Sequence, residues 1–242
     1  MAHFYLSEDL GSAAVGDRVS ITGSEARHAV TVSRLAVGET ISIGNGAGLI
    51  VAGAIVTAEH TELAIEVATV IEEPRREPAV FLAQALAKGD RDELAVQAAT
   101  ELGIDGVIPW TASRSISRWE GAKVAKGRDR WSAVVREATK QSIRSWIPDV
   151  LDLVTTKQLA RLADGARLVV LEPTASLPLS ELDVDDRDLV LVVGPEGGVS
   201  PQELELLAAA GASIVRLGDE VLRTSTAGPA AVAVLNVKLG RW

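Results

Sequence analysis

A glycine-rich segment near the end of the chain has the features of a ligand-binding turn. The stretch "LVLVVGPEGGVSPQELELL" covers residues 189–207. Its first, apolar residues predict a buried strand, and the proline and glycines that follow predict a turn. Ser200, Pro201 and Glu203 are typical of a helix that begins with a capping box. A turn at the C-terminal end of a parallel strand is where open α/β sheets bind ligands.

The residue types in this turn restrict the ligand that it can hold. Gly194, Gly197 and Gly198 would let a ligand approach the backbone closely. The pattern is neither GxxxxGK[ST] nor GxGxxG, and the carboxylate of Glu196 disfavours a nucleotide polyphosphate. A cationic or hydroxyl-rich ligand is better suited. A tight β–α turn that binds nothing is the alternative.

Two other loops have a similar composition. The segment "LGDEVLRTSTAGPAA", residues 217–231, follows the next predicted strand, and "LEP", residues 171–173, ends the strand before. The glycine turn and the 217–231 loop are both small, polar and glycine-containing. Together with "LEP" they could surround one small molecule, with backbone groups making most of the contacts.

The elements that would position these loops alternate between strand and helix. The strands are almost continuously apolar, which is typical of a sheet buried on both faces, so an α/β domain with a mainly parallel sheet is predicted. Predicted strands cover residues 79–86, 106–110, 167–173, 188–194 and 213–218, and predicted helices cover residues 90–103, 123–141, 155–164, 200–211 and 227–240. In the helix at 90–103, Asp90 and Glu93 have capping-box spacing. The apolar face of that helix is predicted to consist of Leu94, Ala98 and Leu102.

The N-terminal part of the chain has a different pattern. Residues 1–72 alternate apolar and polar residues between glycine-rich turns, one of them the hairpin turn at 44–48. A short helix at 24–35, capped by Ser24, interrupts the strands. This pattern predicts a small barrel or half-barrel. The proline-containing stretch "EEPRREP" that follows is the predicted linker, and the second domain is residues 73–242.

Composition excludes several classes of protein. The chain has 242 residues, 47% of them hydrophobic and 24% charged, which fits one large or two modest globular domains. No apolar run approaches the ~18–20 residues of a membrane helix, and the N-terminus lacks the pattern of a signal peptide, so a cytoplasmic protein without membrane contact is expected. The absence of cysteine excludes thiolate chemistry and disulfides. His3, His28 and His60 are widely spaced, and no metal site is expected.

Positive charge is concentrated in one window of an otherwise acidic chain. The net charge is −9, but residues 110–147 contain nine Lys and Arg against three acids, a local charge of +6. The same window holds Trp110, Trp119, Trp131 and Trp146. A basic, aromatic patch is typical of nucleic-acid binding. A solvated helix whose tryptophans point inward is the alternative.

Taken together, these motifs resemble a known family. "GPEGG" followed by S-x-x-E, then "LG" and "VLRTSTA", is similar to the C-terminal signature of the SPOUT superfamily of S-adenosylmethionine-dependent RNA methyltransferases. More narrowly, the chain resembles the RsmE family of 16S ribosomal RNA (uracil-N3) methyltransferases. Further matches, in chain order, are "HFYL", H-x-x-x-V-S-R-L, LAQAL-x-KGDR, "QAATELG", "SRS" and REATKQS-x-R.

The resemblance implies a fold and a methyl-donor site. Residues 1–72 would be a PUA-like RNA-binding barrel. The rest would be a SPOUT domain with a C-terminal trefoil knot. This domain would work as a homodimer. S-adenosylmethionine would be bound without a metal. The implied donor-binding residues are Leu171, Glu172, Gly194, Pro195, Glu196, Gly197, Gly198, Leu217, Gly218, Val221, Leu222, Arg223, Ser225, Thr226 and Ala227.

The resemblance also implies the substrate and candidate catalytic groups. The substrate would be 16S rRNA, within the small ribosomal subunit or its precursor. Arg223 is the candidate for stabilising a deprotonated uracil, with a salt bridge across the dimer as the alternative. Glu196 is the candidate for donor contact or proton removal, with closure of the turn as the alternative. Candidate RNA-binding residues are His28, Arg34, Lys88, Arg91, Arg114 and Arg144. For Lys88, Arg91, Arg114 and Arg144, surface salt bridges are the alternative, and for His28 it is helix packing.

The third loop departs from the family pattern. It carries Ser225 where the family often has an acidic residue, so no role for that acid can be transferred to this chain. Two other functional classes therefore stay open from the sequence: a small-molecule enzyme that uses the glycine turn for a nucleotide, and an RNA-binding protein without catalytic activity.

Overall fold

The computed structural model describes residues 3–242, which form two compact units. The first unit extends to Arg75 and also includes Thr139–Ile147. The second unit consists of Arg76–Ala138 and Pro148–Trp242. The segment Thr139–Ile147 lies in the domain predicted over 73–242, but it packs with the first unit.

The first unit is built on a five-stranded sheet. Its strands are β1 (Phe4–Leu6), β2 (Arg18–Thr22), β3 (Thr40–Gly44), β4 (Leu49–Ala58) and β5 (Glu62–Glu72). The order in the sheet is β1-β3-β4-β5-β2, with β1 parallel to β3 and the other pairs antiparallel. Alternate side chains of these strands form one core, which includes Ile21, Ile43, Val51 and Ile65. The predicted hairpin turn between β3 and β4 is present. Asn45 Oδ1 stabilises it by accepting hydrogen bonds from the backbone N–H groups of Ala47 and Leu49, at 2.7 and 3.0 Å.

The helix after β2 differs from the prediction. The α-helix α1 covers only Gly23–Arg27, and a π-helical turn at His28–Val32 continues it. Thr22, not Ser24, is at the N-cap position, and its side chain makes no capping hydrogen bond. The prediction of a Ser24 cap is therefore wrong, because the helix begins at Gly23 and Ser24 lies within its first turn.

The segment Thr139–Ile147 is held in the first unit by polar contacts. Ser145 Oγ donates to a Glu73 carboxylate oxygen at 2.6 Å, and the Trp146 indole N–H donates to the Glu73 carbonyl at 2.7 Å. Lys140 Nζ lies 3.0 Å from Glu25 Oε1, and both side chains are largely buried. Buried pairs of this kind fix a segment in one position, because separating them leaves a charge without its partner.

The second unit contains the remaining elements. Its strands are β6 (Val80–Ala85), β7 (Gly106–Thr111), β8 (Asp149–Val150), β9 (Val154–Thr155), β10 (Arg167–Leu171), β11 (Leu177–Pro178), β12 (Leu189–Val193) and β13 (Ser213–Arg216). Its helices are α2 (Arg91–Glu101), α3 (Ala122–Gln141, which continues into the segment of the first unit), α4 (Thr156–Arg161), α5 (Pro201–Ala209) and α6 (Thr224–Lys238). The short strands β8, β9 and β11 have no counterpart in the sequence prediction.

All strand pairs of the second sheet are parallel. The order is β11-β13-β10-β12-β6-β7-β8, and β9 also pairs with β7. Every residue of β12 is buried, as expected for a strand covered on both faces. The predicted α/β fold with a mainly parallel sheet is confirmed. The order makes β13, β10 and β12 neighbours, so the loops that follow these three strands meet at one edge of the sheet.

Two helix predictions need correction. In α2, Asp90 occupies the N-cap position but makes no side-chain capping bond, and Leu94 is 55% exposed. The buried face instead includes Ala95, Val96 and Ala99, because small residues allow α2 to pack closely against α6. Helix α6 begins at Thr224, three residues before the predicted start at 227. By contrast, the predicted capping box of α5 is present.

Candidate functional site

The loops that follow β10, β12 and β13 enclose a cavity of about 320 Å³. This volume lies within the range of small-molecule sites, which is roughly 300–1,000 Å³. The cavity lies at the carboxyl ends of three neighbouring parallel strands, the position where open α/β sheets bind ligands. The glycine turn, the "LEP" segment and the third loop all contribute to its wall.

Most residues that the resemblance implies for the donor site line this cavity. They are Leu171, Glu172, Gly194, Pro195, Glu196, Gly198, Leu217, Gly218, Val221, Leu222, Arg223 and Ala227. Gly197, Ser225 and Thr226 are not among the lining residues. The wall also contains six residues that were not among the implied donor-binding residues: Pro173, Val193, Val199, Arg216, Glu220 and Thr224. Arg91, considered for RNA binding, also lines the cavity.

The glycines of the turn serve the turn itself. A Cβ atom on Gly194 would lie 2.9 Å from the Val199 side chain. Gly198 has φ +71°, a left-handed backbone conformation that residues other than glycine rarely adopt. A Cβ on Gly197 would lie 3.1 Å from Arg114 Cβ, on a neighbouring loop. The folded turn itself therefore favours glycine at each of these three positions, whether or not a ligand is bound.

A buried hydrogen-bond chain joins the turn to the start of α6. Thr224 Oγ1 donates to the Gly194 carbonyl at 2.8 Å and accepts from Gln84 Nε2 at 2.9 Å. Gln84 is fully buried in β6, and its Oε1 has no hydrogen-bond partner among residues 3–242. A lone polar residue within the apolar strand "VFLAQA" is a sequence signal for such a contact. The chain fixes the Gly194 carbonyl at the wall of the cavity.

The Glu196 side chain ties the glycine turn to the segment before α2. Its Oε1 accepts the Lys88 backbone N–H at 3.0 Å and pairs with Arg91 Nη1 at 3.1 Å. Burial acts to raise the pKa of Glu196, but hydrogen bonds from its own backbone N–H, from Lys88 and from Arg91 outweigh burial and hold the pKa below its usual range. An ionised, paired carboxylate with a lowered pKa is a weak proton acceptor.

A second carboxylate supports the other side of the turn. Glu203 accepts hydrogen bonds from Ser113 and Thr156, in addition to those of its capping box with Ser200. Next to Ser113, Arg114 donates from Nη1 to the Gly197 carbonyl at 2.9 Å. Glu203 therefore positions the loop that carries Arg114 against the glycine turn. The capping role of Glu203 is evident from the sequence, but these contacts are not.

Besides Arg91, two arginines contribute positive charge to the cavity. Arg216 donates to the carbonyls of Ala175 and Ser176, which fixes its side chain. Arg223 is at the N-cap position of α6, and its guanidinium makes no hydrogen bond or ion pair with any described residue. Arg223 is therefore available to a ligand.

The structure separates the six candidate RNA-binding residues into two groups. Lys88, Arg91 and Arg114 all contact the glycine turn. The other three belong to the first unit. There, Arg34 is exposed with φ +55°, and the His28 ring packs edge-on against Tyr5 at 6.1 Å between centroids. The third residue of this group is Arg144, in the segment Thr139–Ile147.

The basic window is partly neutralised in the structure. Arg128 pairs with Asp152 at 2.8 Å, and Arg130 pairs with Glu93, so acids from outside the window offset part of its charge. Trp110 and Trp131 are buried, which agrees with the interpretation of inward-pointing tryptophans. Trp119 keeps partial exposure.

Two absences can be stated for residues 3–242. No group of three or more His, Cys, Asp or Glu side chains is arranged to hold a metal ion. No helix in this part of the chain is long and apolar enough to cross a membrane.

Comparison with known proteins identifies the family. The profile of the RNA methyltransferase domain matches residues 75–236. The chain is 40% identical over 240 residues to the ribosomal RNA small subunit methyltransferase E of Mycobacterium bovis, covering 97% of this chain and 90% of the relative. It is 33% identical over 218 residues to the protein of the same name from Bacillus subtilis, covering 86% and 85%.

Two similar proteins have solved structures with S-adenosylmethionine bound. A putative methyltransferase from Legionella pneumophila is 29% identical with a TM-score of 0.86, covering 98% of both chains. A ribosomal RNA small subunit methyltransferase E from Neisseria gonorrhoeae is 25% identical with a TM-score of 0.87, again over 98% of both chains. The chain thus belongs to the RNA methyltransferase domain family, and within it to the ribosomal RNA small subunit methyltransferases E.

Proposed function

We propose that this protein transfers the methyl group of S-adenosylmethionine to N3 of a specific uridine in 16S ribosomal RNA. The observation that carries the proposal is the cavity formed by three loops at the carboxyl ends of neighbouring parallel strands. Family membership supports RNA as the substrate, and the donor-bound structures of two similar proteins support the donor.

The cavity has groups suited to each part of S-adenosylmethionine. The carboxylates of Glu196 and Glu220 suit its positively charged sulfonium and ammonium groups, and the guanidinium of Arg223 suits its carboxylate. Apolar side chains that suit the adenine ring come from Leu171 and Val193. The bound donor supplies an electrophilic methyl group. The protein must hold the donor and the uracil in line and keep water out.

Arg223 is the proposed catalytic residue. Uracil N3 carries a proton and becomes a good nucleophile only when that proton passes to solvent water. A guanidinium next to the base stabilises the resulting anion, and Arg223 has no competing partner among the described side chains. Replacing Arg223 by Ala is expected to lower kcat about 100-fold. Because Arg223 would also contact the donor carboxylate, the Kd for S-adenosylmethionine should rise as well, but the loss of kcat should persist at saturating donor. A loss confined to donor affinity would contradict a role in the transfer step.

We assign Glu196 an anchoring role. Of the roles considered from the sequence, proton removal fits poorly with a lowered pKa and two existing hydrogen-bond donors. Closure of the turn fits, because Glu196 connects the glycine turn to Lys88 and Arg91. Its negative charge also remains at the cavity wall, where a cationic donor would be stabilised.

The proposal includes features that follow from the family. The first unit would be a PUA-like RNA-binding domain, corresponding to residues 1–72, and the second a SPOUT domain within residues 73–242. Helix α6 would pass through a knot, and two copies would form a homodimer. His28 and Arg34, with the cationic residues around the glycine turn, would contact rRNA in the small subunit or its precursor.

A pair of adjacent substitutions tests the donor site. Ala227 lines the cavity, whereas its neighbour Thr226 is exposed and lies outside it. Ala227→Phe should fill the cavity and abolish binding of S-adenosylmethionine in calorimetric titration. Thr226→Phe adds the same ring at the start of the same helix and should leave binding intact. Equal binding by both variants would contradict the assignment of the cavity.

A further inference from the structure

A second cavity, of about 390 Å³, lies in the second unit outside the proposed donor site. Ile116, Trp119 and Trp131 form its apolar lining, and Lys88, Asp92 and Arg130 are among its polar residues. The two indoles pack edge-to-face, with centroids 5.3 Å apart and planes at 77°. Trp131 is buried, Trp119 is half-buried, and Ile116 is 70% exposed. The cavity therefore offers an accessible aromatic surface.

The charges of this cavity favour a neutral ligand that donates hydrogen bonds. Asp90, Asp92 and Glu93 line it, against the cations Lys88 and Arg130. Glu93 and Arg130 pair with each other, which leaves an acidic interior that disfavours phosphate. A planar heterocycle with N–H groups is compatible with both the indoles and the carboxylates.

Asp92 is the polar group best placed to recognise such a ligand. It is 6% exposed, and its carboxylate accepts the backbone N–H groups of Ala87 at 3.1 Å and Glu93 at 2.9 Å. A carboxylate has about four acceptor positions, so capacity remains for a ligand. Burial raises the pKa of Asp92 in spite of these two bonds. An additional N–H donor would stabilise its ionised form.

The segment from Lys88 to Asp92 borders both cavities. Lys88 and Asp92 line the second cavity, while Arg91 lines the first. The Lys88 N–H and the Arg91 guanidinium both bind Glu196, a residue of the first cavity wall. A ligand in the second cavity would therefore lie beside the donor site, with the segment from Lys88 to Asp92 between the two cavities.

We propose that the second cavity binds a nucleobase of the RNA that is adjacent to the methylated uridine, stacked on Trp119 with its N–H edge toward Asp92. This inference rests on the proposed function. Single-stranded RNA bases are commonly held by stacking on aromatic side chains and by hydrogen bonds to their edges. The methylated base itself must enter the first cavity, where the donor is held, so the second cavity serves a neighbouring nucleotide.

Substitutions at Trp119 separate stacking from charge. With a short, fluorescently labelled single-stranded RNA of mixed sequence, Trp119→Ala should weaken binding in anisotropy titrations by about 5- to 100-fold. Trp119→Phe should retain most of the affinity. Neither change removes a charge, so the salt dependence of binding should keep its slope. Lys88→Ala is the matched control, because it removes a cation from the same cavity and should reduce that slope.

Several outcomes would overturn this inference. If Trp119→Ala stays folded, binds S-adenosylmethionine normally and has unchanged RNA affinity, the cavity is not a base site. A change in sedimentation behaviour without a change in RNA affinity would instead assign this surface to contact between copies of the chain. Should Trp119→Ala fail to fold, Ile116→Ser, at an exposed position, and Asp92→Asn are expected to weaken RNA binding, and unchanged affinity in both would contradict the proposal.

Failure of this inference can be distinguished from failure of the proposed function. Methyl transfer by the wild-type protein to small ribosomal subunits is measured in parallel. Transfer by wild type together with unchanged RNA affinity and KM in Trp119→Ala would reject only the base site. Absence of transfer by wild type would reject the proposed function, whatever the RNA affinity of the variant.

Discussion

Replacing Glu203 by Gln should remove the main polar connection behind the glycine turn. Glu203 is 7% exposed, and its Oε1 accepts from Ser113 N–H and Thr156 Oγ1, both at 2.8 Å. Its Oε2 accepts from Ser113 Oγ at 2.7 Å and from Ser200 Oγ and N–H at 2.8 and 3.1 Å. Glutamine offers only one oxygen and would direct an N–H₂ group at donors. The donors that now bind one of the two carboxylate oxygens would therefore lose their acceptor.

The size of the effect follows from the pKa of Glu203. Burial acts to raise it, but the hydrogen bonds from Ser113, Ser200 and Thr156 outweigh burial and lower the pKa from 4.5 to about 2. One pKa unit corresponds to about 1.4 kcal/mol, so the ionised form of the side chain stabilises the fold by about 3 kcal/mol more than the protonated form does. Because the folded-state pKa is the lower one, this stabilisation is complete above pH 4.5 and is lost as the pH falls toward 2.

Urea unfolding of wild type and Glu203→Gln at two pH values tests this reasoning. The variant should be less stable by about 3 kcal/mol at pH 7, and the difference should shrink by about 2 kcal/mol at pH 3. Glu205→Gln is the matched control, since Glu205 is exposed on the same helix, and it should be nearly neutral. A difference between wild type and Glu203→Gln that does not change with pH would refute the ionic contribution assigned to this carboxylate.

Three further substitutions test the surroundings of the cavity. Gly198→Ala should lower the unfolding free energy by about 1–2 kcal/mol in urea melts, because φ +71° is unfavourable for a residue with a Cβ atom. Gln84→Leu should weaken donor binding in calorimetry more than it lowers Tm, because Thr224 would lose the donor that orients it toward the Gly194 carbonyl; a pure loss of stability would argue against this positioning role. Arg91→Ala should weaken the binding of S-adenosylmethionine by releasing Glu196 from its anchor, and unchanged affinity would contradict that role.

The sequence predicted the parallel α/β unit because its signals are local. Apolar runs such as residues 189–193 form buried strands, and the Ser200–Glu203 capping box starts α5 where predicted. The adjacency of the three ligand-site loops depends on strand order, which these patterns do not encode. Periodicity also failed for α2, where Leu94 is exposed and alanines form the buried face.

Within the site, the sequence indicated which segments form the cavity, but it did not indicate the contacts that hold these segments in place. The glycine at position 194 accommodates Val199 of its own turn, a contact that no sequence pattern specifies. Gln84 and Thr224 lie far apart in the chain, so their hydrogen bond could be identified only from the folded structure. The same holds for Glu203, whose partners are Ser113, in a loop, and Thr156, the first residue of α4.

Methyl transfer to ribosomal RNA is the most direct test of the proposed function. Small ribosomal subunits that lack the modification would be incubated with the protein and isotopically labelled S-adenosylmethionine. Their 16S rRNA would then be digested to nucleosides for mass spectrometry. Label in N3-methyluridine with wild type, and its loss with Ala227→Phe, is the expected result. Donor binding without label in N3-methyluridine, or label in a different nucleoside, would contradict the proposed reaction.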